Sequence, residues 1–138
     1  MRQRAAWVVA ALLATYPIAA HSEETAAATE SRGLNWQGAR AALITLGSDG
    51  ALYCDAERVL HCPALPVQAV DTTAAGDAYL GALAAARAES QTLEQSLGFA
   101  AAAAGLAVTR LGAQPSLGTR AEVADFIARH GLPVIERG

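Results

Sequence analysis

The stretch Asp71-Thr72-Thr73-Ala74-Ala75-Gly76-Asp77-Ala78-Tyr79-Leu80-Gly81-Ala82-Leu83 constrains this chain more than any other. It follows a short apolar run, Leu65 to Val70, and leads into an alanine-rich segment that reads as a helix from Gly76 to about Ala88. A threonine at that boundary is a good N-cap, and the small residues behind it leave several backbone N–H groups open. Those groups and the positive end of the helix dipole form an anion site, of which phosphate is the usual occupant. Asp77 falls in the first turn, beside that site. An acid there stays ionised and can orient or deprotonate a hydroxyl that attacks phosphorus. The plainer reading is a strand–turn–helix junction whose acid only complements the dipole. Small residues and one aspartate, taken alone, favour that plainer reading.

The whole string is more specific. It resembles the C-terminal signature of the ribokinase-like (PfkB) sugar kinases, Asp-Thr-x-small-small-Gly-Asp followed by Gly-Ala-apolar. Asp71, Thr72, Ala74, Ala75, Gly76, Asp77, Gly81, Ala82 and Leu83 meet every position. The resemblance implies that Asp77 is the catalytic base and that Ala74, Ala75 and Gly76 line an anion hole. It also bears on Thr45-Leu46-Gly47-Ser48-Asp49-Gly50. Two glycines around Ser-Asp let a backbone approach a ligand closely, although an ordinary hairpin turn is the commonest cause of such a pattern. Ribokinases carry Thr-Leu-Gly-Ser-x-Gly at this interval before the signature, lining the ATP site. Thr45, Gly47, Ser48, Asp49 and Gly50 are therefore nucleotide-binding candidates, with Gly76.

Three further assignments follow from the resemblance alone. Gly112-Ala113-Gln114-Pro115-Ser116 is similar to a loop of ribokinases that helps hold a monovalent cation, K⁺, behind the anion hole. The implied ligands are Asp71, Thr73, Ala107, Arg110, Gly112 and Ser116, largely through backbone oxygens. Ser22-Glu23 stands where many relatives have Asn-Glu or Ser-Glu, implying nucleotide contact for Ser22 and indirect Mg²⁺ organisation for Glu23. A helix start capped by Ser22 explains the same residues equally well. Ala101, mid-way along a second helix from Leu93 to about Thr109, is the position nearest the adenine in such kinases. Close helix packing is the plainer reason for that helix's many alanines and glycines.

The remaining residues bound the fold. The chain has 138 residues and 53% hydrophobic content, much of it alanine, enough for one small domain with a modest core. Ten basic and 13 acidic residues give a net charge of −3, and no basic block speaks for nucleic acid. His21, His61 and His130 lack metal-ligand spacing and read as isolated surface or core histidines. Ala41 to Thr45 reads as a buried strand, and Ala51–Cys54 and Arg58–Cys62 as a hairpin turning at Asp55-Ala56. That turn sets Cys54 against Glu57, too far from Cys62 for a disulfide, so two reduced cysteines in a cytoplasmic protein are expected. Val67 to Val70 reads as a strand delivering Asp71. Thr119-x-x-Glu122 is a capping box for a last helix stopped by Gly131.

Residues 1–17 read as an N-terminal helix, followed by a short strand at Ile18–Ala20; the outline of a signal peptide is the alternative. Residues 18–130 form the nucleotide-binding and catalytic part and 131–138 a tail. The expected fold is α/β, a partial Rossmann-like doubly wound sheet with a small antiparallel β edge. The implied function is ATP-dependent phosphorylation of a sugar hydroxyl with Mg²⁺ and K⁺, by a cytoplasmic protein without membrane or nucleic-acid partners. No sugar-binding motif or lid is recognisable, so the chain is expected to be part of a longer kinase, its open sheet edge favouring a homodimer. A non-catalytic nucleotide-binding module and an exported α/β protein are the other classes left open.

Overall fold

Five strands and three helices make up residues 8–9 and 41–137, the part that the computed structural model describes. The sheet runs β1 (Val8–Val9), β2 (Ala41–Thr45), β3 (Ala51–Asp55), β4 (Val59–Cys62) and β5 (Glu136–Arg137), in that spatial order. β1 pairs parallel with β2, and the other neighbours are antiparallel. The helices are α1 (Ala75–Ala88), α2 (Leu93–Val108) and α3 (Arg120–His130). The α/β class with an antiparallel edge is as expected. Within the described residues the antiparallel strands dominate the sheet.

One face of the sheet carries α1 and α2. Leu43, Tyr53, Leu60 and Cys62 from the strands meet Tyr79 and Leu83 of α1 and Leu97 and Ala101 of α2. The opposite face buries Leu52, Cys54 and Val59. A separate cluster joins α2 to α3 through Ala102, Ala103, Leu106, Val123 and Phe126. α2 can serve both clusters because eleven of its residues are buried and most of them are alanine or glycine. Side chains of that size let neighbours approach on every side, and the close contact recovers in packing what each alanine lacks in apolar area.

Local chemistry sets the boundaries. Thr92 accepts from Gln95 N–H while Gln95 reaches back to Thr92 N–H, closing a capping box on α2. Thr119 and Glu122 do the same for α3, and Gly131, at φ 78°, ends it. Ser90, at φ 63°, turns the chain between α1 and α2. In the β3–β4 turn Asp55 Oδ1 accepts from the N–H groups of Glu57 and Arg58, at 2.9 and 2.8 Å.

Four expectations need correction. Val8–Val9 is a strand, not part of a helix: two β-branched residues pair with Ala42 and Leu43. Val67–Val70 forms no strand; with Pro63 and Pro66 before it, the segment is irregular, and Val70 N–H donates to Val108 O. Cys54 faces Val59 rather than Glu57, because the turn closes with Asp55 N–H on Arg58 O. Cys54 and Cys62 are both free, and they point to opposite faces of the hairpin, Cys54 into one cluster and Cys62 into the other. The fourth concerns the cap of α1, described below. The expected strand at 18–20 lies outside the described residues.

Cys62 is fully buried, and its thiol and the Tyr79 hydroxyl both donate to Leu97 O. Burial pushes the Tyr79 phenol far above its ordinary range and raises the thiol as well. Both groups are packing elements that stay protonated. Leu97, itself 0% exposed, stands at the centre of this cluster. Leu97→Ala should cost about 2–5 kcal/mol in urea unfolding. Leu111→Ala, at a position 74% exposed, should stay within about 0.5 kcal/mol.

Candidate active site

The approach to α1 is held by one carboxylate. Asp71 Oδ1 accepts from Thr73 N–H at 2.9 Å and from Thr73 Oγ1 at 2.5 Å, and Oδ2 accepts from Gly112 N–H at 2.9 Å. These donors, the Thr73 hydroxyl first, hold the Asp71 carboxyl below the usual aspartate range. The N–H groups of Val70 and Asp71 both donate to Val108 O, at 2.7 and 3.1 Å. The segment entering α1 is thus tied to the end of α2 and to the loop that follows it.

The N-cap of α1 is Ala74, with no side-chain cap. A threonine cap was expected here, and the structure corrects it: Thr73 turns its hydroxyl to Asp71 instead. Ala75 N–H donates to Thr72 O at 3.2 Å. Among the described residues, no acceptor meets the N–H groups of Ala74, Gly76 and Asp77. Asp77 is exposed in the first turn, and its carboxylate makes no hydrogen bond or ion pair among the described residues. A Cβ built on Gly76 would meet nothing within 4 Å, so the space beside the open amides is clear. The helix dipole and unpaired donors together favour an anion here.

The Thr45–Gly50 candidates leave β2 through a three-ten turn, Gly47–Asp49. Gly47 and Gly50 sit at φ 61° and 95°, backbone conformations that favour glycine. A Cβ on Gly50 would lie 2.0 Å from Cys62 O, so only glycine lets the turn close over the end of β4.

The candidate cation ligands gather around the 108–116 loop. The carbonyl oxygens of Thr73, Arg110 and Gly112 accept no hydrogen bond among the described residues. Ala107 O, by contrast, already accepts from Arg110 N–H at 3.1 Å, and Ser116 Oγ donates to Ala113 O at 2.6 Å. Asp71 spends both carboxylate oxygens on protein donors. Of the six expected ligands, Ala107 is the one whose backbone oxygen already accepts a hydrogen bond among the described residues. Ala101, expected nearest the adenine, is 3% exposed and packs in the cluster between the sheet and α1. Ser22 and Glu23 lie outside the described residues. Among the described residues no group of three His, Cys, Asp or Glu could hold a metal ion, and no helix is long and apolar enough to cross a membrane.

Residues 8–120 match the model of the pfkB family carbohydrate kinases. The chain belongs to the pfkB family. It is 41% identical over 85 residues to the ribokinase of Bacillus subtilis, a match covering 62% of this chain and 29% of that protein. Among solved structures it is similar to Arabidopsis thaliana ribokinase complexed with ribose and ATP, with a TM-score of 0.66 and 36% identity over 75% of this chain and 33% of that one. A candidate ribokinase II from E. coli in complex with ATP and Mg²⁺ gives a TM-score of 0.66 and 34% identity, over 72% of this chain and 32% of that one. The chain spans about a third of the length of these pfkB relatives.

Two contacts of this pfkB chain were not foreseen from its residues. Glu122 uses Oε2 for the α3 cap and Oε1 to accept from Arg110 Nη2 at 2.7 Å. The Arg110 guanidinium, with the Thr119 donors, holds the Glu122 carboxyl at about 2, down from 4.5. The capping box was the only signal, and it accounts for one of the two oxygens. Arg120 places its guanidinium 5.0 Å from the Phe99 ring centroid and pairs with Glu89. It lines a groove of about 250 Å³ between the helices, which Asp77 also borders.

The Glu122 contacts predict an acid response. The folded-state value lies below the unfolded one, so the bonds add stability above about 4.5, and that addition is lost as the pH falls towards about 2. Thermal midpoints should therefore drop more steeply between about pH 5 and 2 in the unsubstituted chain than in Glu122→Gln. Parallel curves for the two proteins would remove the contacts from the account.

Proposed function

We propose that this chain is the nucleotide-binding and catalytic-base part of a carbohydrate kinase that transfers the γ-phosphoryl group of ATP to a sugar hydroxyl. One observation carries the reading: among the described residues, the uncapped N-terminus of α1 leaves the N–H groups of Ala74, Gly76 and Asp77 without acceptors, with the Asp77 carboxylate beside them making no hydrogen bond or ion pair. Family membership and the ATP-bound relatives support it. On this reading the open amides take the charge that develops on the phosphoryl oxygens. Asp77 accepts the proton of the attacking hydroxyl and aims it. Thr45, Gly47, Ser48, Asp49 and Gly50 contact the nucleotide, the glycines bringing backbone close to it.

Mg²⁺, which would offset phosphate charge, falls to Glu23 and the nucleotide itself. The residues for K⁺ fit in part: the free carbonyl oxygens of Thr73, Arg110 and Gly112 suit a monovalent cation behind the hole, next to the negative Asp71. Ala107 O keeps a second lone pair beside its bond from Arg110 N–H, and Ser116 keeps its oxygen lone pairs while its hydroxyl donates to Ala113 O, so both could join them. A sugar would be held by residues not recognised in this chain. Ribose is favoured by the Gly47-Ser48 and Gly112–Ser116 motifs.

Two outcomes test the proposal. Gly76→Val adds a side chain to open space, so the fold should survive while MgATP-analogue binding is abolished in calorimetric titration; unaltered affinity rules out the anion hole. In a coupled ADP-release assay with ribose, K⁺ and Mg²⁺, turnover by a protein containing this chain should fall roughly 10²–10⁴-fold in Asp77→Asn. Nucleotide affinity should be nearly unchanged. A variant with full turnover would sink the assignment of the base.

A further inference from the structure

We infer that His61 is a positioning residue for the nucleotide-binding turn, a role that rests on the nucleotide reading of Gly47–Gly50. His61 stands in β4, a strand otherwise built of Val59, Leu60 and Cys62. Its Nε2 lies 2.8 Å from Asp49 O, in the three-ten turn, and its Nδ1 lies 3.3 Å from Glu136 Oε2 in β5. A carbonyl oxygen and a carboxylate can only accept, so Nε2–H donates to Asp49 O and Nδ1–H to Glu136 Oε2, the ring holding both contacts as the imidazolium.

The turn needs such an anchor. Its internal bonds are Leu46 N–H to Gly50 O at 2.8 Å and two longer ones of 3.2 Å, from Asp49 N–H to Leu46 O and from Gly50 N–H to Gly47 O. Two glycines with positive φ give the backbone wide freedom around them. Gly50 rests on the backbone of Cys62 to Ala64, and His61 ties the turn to that same strand through Asp49. Among the hydrogen bonds of the described residues, His61 supplies the side chain that reaches this turn. β4 pairs His61 with Glu136 of β5, so the carboxylate that faces Nδ1 comes from the neighbouring strand and fixes the ring's orientation. A ligand that needs the turn's backbone in one arrangement therefore gains from the imidazole, whereas an anion at the N-terminus of α1 does not.

The test uses His61→Leu, which removes the donor, and His61→Gln, whose amide reaches about where Nε2 stood. Amide exchange and chemical shifts are followed in the 138-residue chain with MgADP and, separately, with tripolyphosphate. His61→Leu should speed exchange at Leu46 and Gly50 and weaken MgADP about three- to tenfold, the worth of one such hydrogen bond. Tripolyphosphate affinity should stay unchanged, and His61→Gln should restore both readouts. Where leucine unfolds the sheet edge, His61→Asn, too short to reach Asp49 O, takes its place. Exchange at Leu46 and Gly50 unchanged by losing the donor overturns the positioning role, whatever the nucleotide does. Faster exchange with no MgADP shifts at Gly47–Gly50 in the unsubstituted chain overturns the nucleotide reading, and the functional role of His61 with it.

Discussion

The carboxylate of Asp71 fixes the geometry on which the rest of the site depends. It draws in the hydroxyl and the N–H of Thr73 on one side and the N–H of Gly112 on the other. Two loops separated by two helices are thereby held against each other at the surface. Thr73, which precedes the N-cap and has its hydroxyl turned to Asp71, makes no cap bond, and Ala74 has no side-chain oxygen to offer. An absent cap costs about 1 kcal/mol. Here the cost is offset by the anchoring of Val70 and Asp71 on Val108 O. The donors at the start of the helix are left without acceptors among the described residues.

Small side chains carry this arrangement inward. Val108, which anchors the entry to α1, ends a helix whose middle is Ala100 to Ala104. Through those alanines α2 reaches the sheet cluster on one side and the α3 cluster on the other. A larger residue at Gly105 would press on the ring of Phe126, 3.3 Å from a built Cβ, and so displace α3. α3 in turn holds Arg110 through Glu122, just before the loop that meets Asp71. The geometry at the start of α1 is thus relayed through packing as well as through hydrogen bonds.

Much of this was legible because it depends on local residue chemistry. The extents of α2 and α3 follow from Thr92, Thr119, Glu122 and Gly131, each acting within one turn of chain. Asp77 in the first turn of α1 and the glycines of the 47–50 turn lie where residue type and spacing put them. What escaped depends on partners distant in sequence. Val8–Val9 is too short for a periodic pattern, and its strand character comes from Ala42 and Leu43. Val67–Val70 has the composition of a strand and lacks a ladder among the described residues. Thr73 has the type of a helix cap, but it precedes the N-cap and its hydroxyl is turned to Asp71. The burial of Ala101 at 3% exposure comes from strands and a helix far from it in sequence. His61 looked isolated because its acceptors come from positions 49 and 136.

The two aspartates of the signature illustrate how one residue type is given opposite tasks by its surroundings. Asp71 accepts three hydrogen bonds, which stabilise its ionised form and occupy the lone pairs that could take a proton. It is a strut, and a poor base. Asp77, six residues on, is exposed and has no donor bound to it among the described residues. Its lone pairs are available to a hydroxyl arriving at the open amides. On the proposed reading, exchanging these situations would disable both: a bonded Asp77 could not accept the proton, and a free Asp71 would let Gly112 and Thr73 drift. The entry to α1 would then lose the contacts that hold it in place. On the proposed reading, the affinity of Asp71 for Thr73 is therefore a condition for catalysis by Asp77, although the two carboxylates need never touch the same atom.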